Sequence, residues 1–173
     1  MVVTIHPCFH WIGFHITSSL LQEGMEVVGI DPISDRKKDL LYMFVGRNSN
    51  FQHFYNIEDK ENHIQRTKGE WEIEIWEEGL LVKGENYEEE WIEFPLLYGE
   101  WMDLHPTESE DQSDLKRWIL DKEAVYIGDF LEDFLTSLFN QETFNRRERK
   151  LEEETLNERI KSLWCCDQML KKV

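Results

Sequence analysis

The 173-residue sequence is poor in cysteine, poor in positive charge and free of long apolar runs. Cys8, Cys165 and Cys166 are its only cysteines; the last two are adjacent, and neighbouring cysteines rarely pair, so no disulfide framework is implied. No apolar stretch reaches the roughly 20 residues of a membrane-spanning helix, and no basic-then-apolar signal segment opens the chain. A soluble, cytoplasmic protein is therefore expected. No G-x-x-x-x-G-K-[ST], G-x-S-x-G, H-E-x-x-H or C-x-x-C motif occurs, so none of the chemistries those motifs carry is signalled.

Nineteen Lys and Arg stand against thirty-six Asp and Glu, a net charge of -17. The excess is not spread evenly. Residues 58–114 hold nineteen acids against four bases, whereas the segments on either side are each one unit from neutral. Such a surface repels nucleic-acid phosphates and anionic membranes, which excludes both as partners. It is either a solvated face or a docking face for a basic protein partner.

What is present is ample for a core. The chain is 40% hydrophobic and 13% aromatic, with seven Trp and ten Phe, and its length suits one domain. Val2 to Ile5 reads as a short strand. Residues 11, 12, 14, 16, 20 and 21 are apolar at helical spacing, and Gly24 follows as a cap. Met25 to Ile30 reads as a buried strand stopped by Asp31 and Pro32. Residues 35–46 form a second helix and Phe51 to Tyr55 a third strand. A β-α-β-α-β order predicts a parallel sheet with helices packed on it. Trp71, Ile73 and Ile75 alternate with glutamates, Glu78-Gly79 follows, and Leu80 to Val82 returns, which predicts a hairpin with one apolar and one acidic face. Trp91 to Phe94 is another extended piece, and residues 106–114 are the best linker candidate. Asp129 to Phe139 is helical by spacing. Residues 142–172 lack Pro and Gly and read as helix, with Leu151, Leu156, Ile160, Leu163, Trp164 and Leu170 in one stripe. That stripe packs on the sheet or forms a seam between two copies.

Residues 12–31 (I-G-F-H-I-T-S-S-L-L-Q-E-G-M-E-V-V-G-I-D) resemble the opening of the NAD-dependent epimerase/dehydratase family, the extended short-chain dehydrogenase/reductases. That family begins with a strand, a T-G-x-x-G-F-I-G turn, a helix and a second strand ending in Asp. Phe51 to Asp59 resembles its third strand and following D-[IL]-x-D, with Asn56 at the first Asp. Phe94 to Trp101 (F-P-L-L-Y-G-E-W) resembles the family's R-x-x-x-[VL]-Y-G-P-[WG], and Ala124 to Leu138 resembles its Y-[VI]-D-D-[VF]-[VA]-x-A segment. The matches come in family order and touch about a third of the chain. They imply a shortened Rossmann-like α/β fold: a single domain over 1–173, with a β-α-β-α-β half at 1–57, an acidic β-rich segment at 58–114 and a helical part at 115–173.

The resemblance also implies NAD or NADP as cofactor, and here the residues depart from the pattern. Aligning Gly13 with the last glycine of the turn puts Pro7 at the first glycine and His10 at the second. Pro7 has no N–H and a fixed φ, and His10 brings a ring where a pyrophosphate needs room. A retained dinucleotide site would rest on Gly13 and Asp31 alone, and Asp31 before Pro32 is also ordinary turn chemistry. The family's proton transfer uses a Tyr with a Lys four residues on. None of Tyr42, Tyr55, Tyr87, Tyr98 and Tyr126 has that Lys. No residue is assigned as catalytic. His6, Cys8 and His10 alternate, so an extended segment would point all three one way, as a metal trio requires; Pro7 interrupts them, and packing of a rewritten loop is the other reading. Cys165 and Cys166 read as partly buried helical thiols. Arg146, Arg147, Arg149 and Lys150 read as a basic helical cluster, either solvated or paired with the acidic middle of another copy. The expected function is a non-catalytic scaffold or interaction module with a basic partner or itself. The alternative is a nucleotide or nucleotide-sugar binding protein retaining part of the family's activity.

Overall fold

The computed structural model describes residues 1–64, 69–84 and 87–172. The chain divides into two compact units, Met1–Phe94 and Pro95–Val173.

The first unit contains β1 (Val2–His6), α1 (Trp11–Gln22), β2 (Glu26–Ile30), α2 (Arg36–Val45), β3 (Phe51–Phe54), α3 (Ile57–His63), β4 (Trp71–Ile75), β5 (Gly79–Gly84) and β6 (Tyr87–Glu93). They build a six-stranded sheet in the order β3-β2-β1-β4-β5-β6. β1, β2, β3 and β4 are parallel, and β5 and β6 follow as an antiparallel meander. The fold is thus α/β with a mostly parallel sheet and flanking helices, as the β-α-β-α-β reading expects. From β1 the chain grows first toward β3 and then back to β4, so a switch of direction lies between β1 and β4. In open α/β sheets ligands bind outside the carboxyl ends of the strands at such a point.

The local causes are plain. Val3 and Ile5 of β1 are fully buried at the centre of the sheet. Gly24, at φ +76, turns the chain after α1 at a backbone angle that L side chains rarely adopt. In β4 the buried set is Trp71, Ile73 and Ile75, with Glu72 and Glu74 on the other face. Asp35 caps α2 by accepting the Lys38 N–H at 2.9 Å. Asn56 caps α3 by accepting the Asp59 N–H at 2.8 Å. The sequence reading assigned no helix there. Buried Lys60 of α3 pairs with Glu70, whose carboxylate also accepts the Thr4 hydroxyl at 2.6 Å. That pair anchors α3 to the approach to β4.

The second unit contains β7 (Leu97–Tyr98), a 3-10 turn (His105–Thr107), α4 (Gln112–Asp121), β8 (Val125–Tyr126), α5 (Ile127–Asn140) and α6 (Glu153–Lys172). β7 and β8 pair in parallel. Residues 106–114, expected as a linker, instead enter the 3-10 turn and the start of α4. There the Asp111 carboxylate accepts the Ser113 and Asp114 N–H groups at 2.7 and 2.9 Å. The helix expected over 142–172 begins only at Glu153. Residues 142–152 run as an irregular strap because α5 claims them: Asp133, buried in that helix, accepts the Arg147 N–H at 2.9 Å and both Arg149 guanidinium nitrogens at 2.7 Å. The basic cluster therefore lies on the strap, and Leu151 falls outside the helix. Leu156, Ile160 and Leu163 of α6 are buried, and α6 packs against α4. Among the described residues no helix is long and apolar enough to cross a membrane.

Ile73 is fully buried at the centre of β4. Ile73→Ala is expected to lower unfolding free energy by about 2–5 kcal/mol in urea titrations, through lost burial and a cavity. Glu88→Ala, on exposed β6, is expected to change it by less than about 0.5 kcal/mol.

Candidate functional site

The candidate site is the turn from Pro7 to His10, which leaves β1 at the switch point and enters α1. Helix α1 begins with no acidic residue in its first turn and no side-chain cap from His10. Its first N–H groups thus carry the usual partial positive charge. Gly13 brings the helix onto the turn. A Cβ at that position would stand 2.2 Å from the Pro7 carbonyl oxygen and 3.0 Å from Ile75 Cδ1. Gly13 therefore serves close packing of α1 on the turn and on β4.

Asp31 ends β2 and is 1% exposed. Its Oδ2 accepts the Phe9 N–H at 3.0 Å, and its Oδ1 takes the Lys38 ammonium at 2.5 Å. Its own N–H donates to the Phe54 carbonyl at 3.0 Å, and its carbonyl accepts His53 Nε2–H at 2.7 Å. The acid that the family pattern assigns to a ribose thus faces back into the turn and holds it. Cys8 N–H donates to the Ile30 carbonyl at 3.2 Å, a second tie between turn and strand. Phe9 is buried, with its ring centroid 5.2 Å from His53, 6.1 Å from Tyr42 and 6.4 Å from Phe51.

The three alternating residues are not brought together as a ligand set. Pro7 to Phe9 form a turn, which ends the strand alternation after His6. Cys8 lies buried beside Gly29, and burial, reinforced by the Asp31 charge, pushes its thiol far above the usual range. His10 is held below its ordinary value by burial and then by Lys37, so its ring is neutral at pH 7. Its Nδ1 is buried without a hydrogen bond. Among the described residues no group of three His, Cys, Asp or Glu is placed to hold a metal ion. Cys165 and Cys166 lie on α6, the first exposed and the second half-buried, both free.

A second cluster, which the sequence reading missed, lies in the Pro95–Val173 unit. The parallel β7–β8 pair sets Tyr98 beside Tyr126, with ring centroids 5.5 Å apart. Tyr126 donates its phenol to Glu100 at 3.0 Å. Arg159 of α6 lies 4.1 Å over the Tyr126 ring and grips Asp129 end-on at 2.9 and 2.8 Å. Burial raises the pKa of both phenols, with the Glu100 charge adding to the rise at Tyr126. Neither tyrosine is followed four residues on by a lysine. The only signal in the sequence was the pair of short Y-G and Y-I-G segments, whose adjacency depends on strand pairing.

Compared with protein-family models, curated proteins and solved structures, the chain has no match in any of the three.

Asp31→Ala leaves the Phe9 N–H and the Lys38 ammonium without their acceptor, and is expected to cost about 1–3 kcal/mol of stability. Gly13→Ala forces a methyl against a backbone oxygen and is expected to cost at least about 1–3 kcal/mol. Chemical denaturation of both variants beside the parent checks this. Parental midpoints would contradict the described packing.

Proposed function

We propose that this protein is a non-catalytic, shortened Rossmann-like relative of the epimerase/dehydratase group that acts as a scaffold or interaction module. One observation carries the reading. The Asp31 carboxylate already accepts the Phe9 N–H and the Lys38 ammonium, so the turn that would receive a pyrophosphate has a protein anion at its backbone. Pro7 supplies no N–H there, and Gly13 is filled against the turn. These residues do not fit a dinucleotide. The missing Tyr/Lys pair agrees with the same reading.

The partner surface in this reading is the acidic outer face of β4, β5 and β6. Glu74, Leu81 and Trp91 stand in one cross-strand row. Trp91 is 49% exposed, a large aromatic left in water among the exposed Glu88, Glu89 and Glu93. Lys83 adds a cation to that face and pairs with Glu74 at 2.8 Å. An exposed Trp ringed by like charges suits a basic protein partner, the aromatic supplying a buried anchor and the carboxylates steering and orientation. Leu156, Ile160 and Leu163 of the α6 stripe are buried and α6 packs on α4, so a seam between copies along that stripe gains less support.

Octalysine is the probe. Hydrogen exchange should show salt-sensitive protection at 87–93. Residues 108–114, with the same number of acids, should show none. Glu89→Lys/Glu93→Lys should weaken binding by about tenfold, and Trp91→Ala should cost about 2 kcal/mol of it. Protection shared equally by both stretches would reduce the acidic face to a solvated surface.

A further inference from the structure

We propose that the cleft beneath the 142–152 strap is a binding site for a small phosphate-bearing organic molecule, separate from the turn at β1. The cleft lies within the Pro95–Val173 unit and has a volume of about 650 Å³, in the range of small-molecule sites. The end of α4, the β8–α5 junction, the strap and the first turns of α6 form its walls.

At its base Tyr98 is 1% exposed, and its hydroxyl lies beside the Arg159 guanidinium without a well-formed hydrogen bond. A buried hydroxyl so poorly satisfied is costly, and it marks a place where a group from outside is expected. Arg159 lines the same cleft. Its end-on grip on Asp129 uses one N–H of each terminal nitrogen, which leaves its other N–H groups to face Tyr98 and a ligand. The Tyr126 ring beneath it and Asp129 beside it fix the guanidinium before any ligand arrives.

The strap adds the charge. Arg146, Arg147, Arg149 and Lys150 stand there against Glu142, Glu148 and Glu152, in a chain of net -17. Arg149 and the Arg147 backbone are committed to Asp133, which holds the strap in place. The Arg147 side chain is 60% exposed and comes no closer than 3.6 Å to Asp133. Arg146 and Lys150 are exposed on the strap. Glu123, Glu148 and Glu152 also line the cleft, all exposed. They keep it from being a general sink for anions and leave the selectivity to the fixed donors. Donors from β7, α6 and the strap suit a tetrahedral dianion, which accepts from more directions than a planar carboxylate. Ile119, Leu120 and Ala124 offer an apolar wall to the organic remainder.

Phenyl phosphate, benzoate and inorganic phosphate are the probes, read by calorimetry and thermal midpoint. Phenyl phosphate should bind and raise the midpoint, and should bind more tightly than the other two. Tyr98→Phe should raise the ligand-free midpoint, because a poorly satisfied buried hydroxyl is gone, and yet weaken phenyl phosphate by about fivefold. Arg146→Ser/Lys150→Ser, both exposed, should leave the ligand-free midpoint in place and weaken binding by about tenfold. No binding of phenyl phosphate would overturn the proposal. Affinity unchanged in both variants, or benzoate binding as tightly, would overturn it as well. A lowered ligand-free midpoint in Tyr98→Phe would show that the Arg159 contact already satisfies the phenol and would remove the central observation.

Discussion

The buried carboxylate of Asp31 ties the turn after β1 to α2, through the Phe9 N–H and the Lys38 ammonium. The backbone of the same residue is bonded to β3 through Phe54 and His53. One side chain thus closes the carboxyl edge of the sheet at the place where an open α/β fold would hold a ligand. The interaction is worth more than its hydrogen-bond count. Opening the turn would leave a buried anion with fewer partners, and an uncompensated buried charge is strongly unfavourable. Phe9, drawn inward beside that bond, adds ring contacts with Tyr42, Phe51 and His53 that would also be lost.

A similar device recurs in the second unit. Asp133, buried in α5, accepts the Arg147 N–H and the Arg149 guanidinium and so holds an irregular strap that carries a cluster of cations. Arginine contacts and the backbone N–H keep that carboxyl below its usual range, against the opposing effect of burial. In both units a buried Asp fixes a segment without regular structure. In the first it closes a turn; in the second it presents a basic stretch over a cleft.

Much of the first unit was legible because its signals are local. The apolar runs of β1 and β2, the 3.6-residue spacing of α1 and the alternation of Trp71, Ile73 and Ile75 each decide their own element. The cap at Gly24 needs only its neighbours. Less local features escaped. Asp31 reads as a strand-ending turn residue or a ribose ligand, and its actual partner, the Phe9 N–H, lies 22 residues away. Helix α4 carries Leu115, Trp118 and Ile119 at helical spacing behind the Asp111 cap, but the polar run that precedes them reads as a linker and hid its start. Residues 142–152 have helix-forming composition, yet Asp133 takes the Arg147 N–H, which a continued helix would need for its own ladder. The Tyr98–Tyr126 pair depends on parallel strand pairing across the unit, which periodicity does not report.

Amide-resolved NMR with NADH is the most direct measurement of the central claim, that the turn is closed by its own carboxylate. On saturation with NADH, the amide resonances of Cys8 to Gly13 should stay in place, with the Phe9 N–H slow to exchange because Asp31 holds it. Saturable shifts confined to those residues, with faster exchange at Phe9, would show that the turn opens to a dinucleotide and would contradict the account.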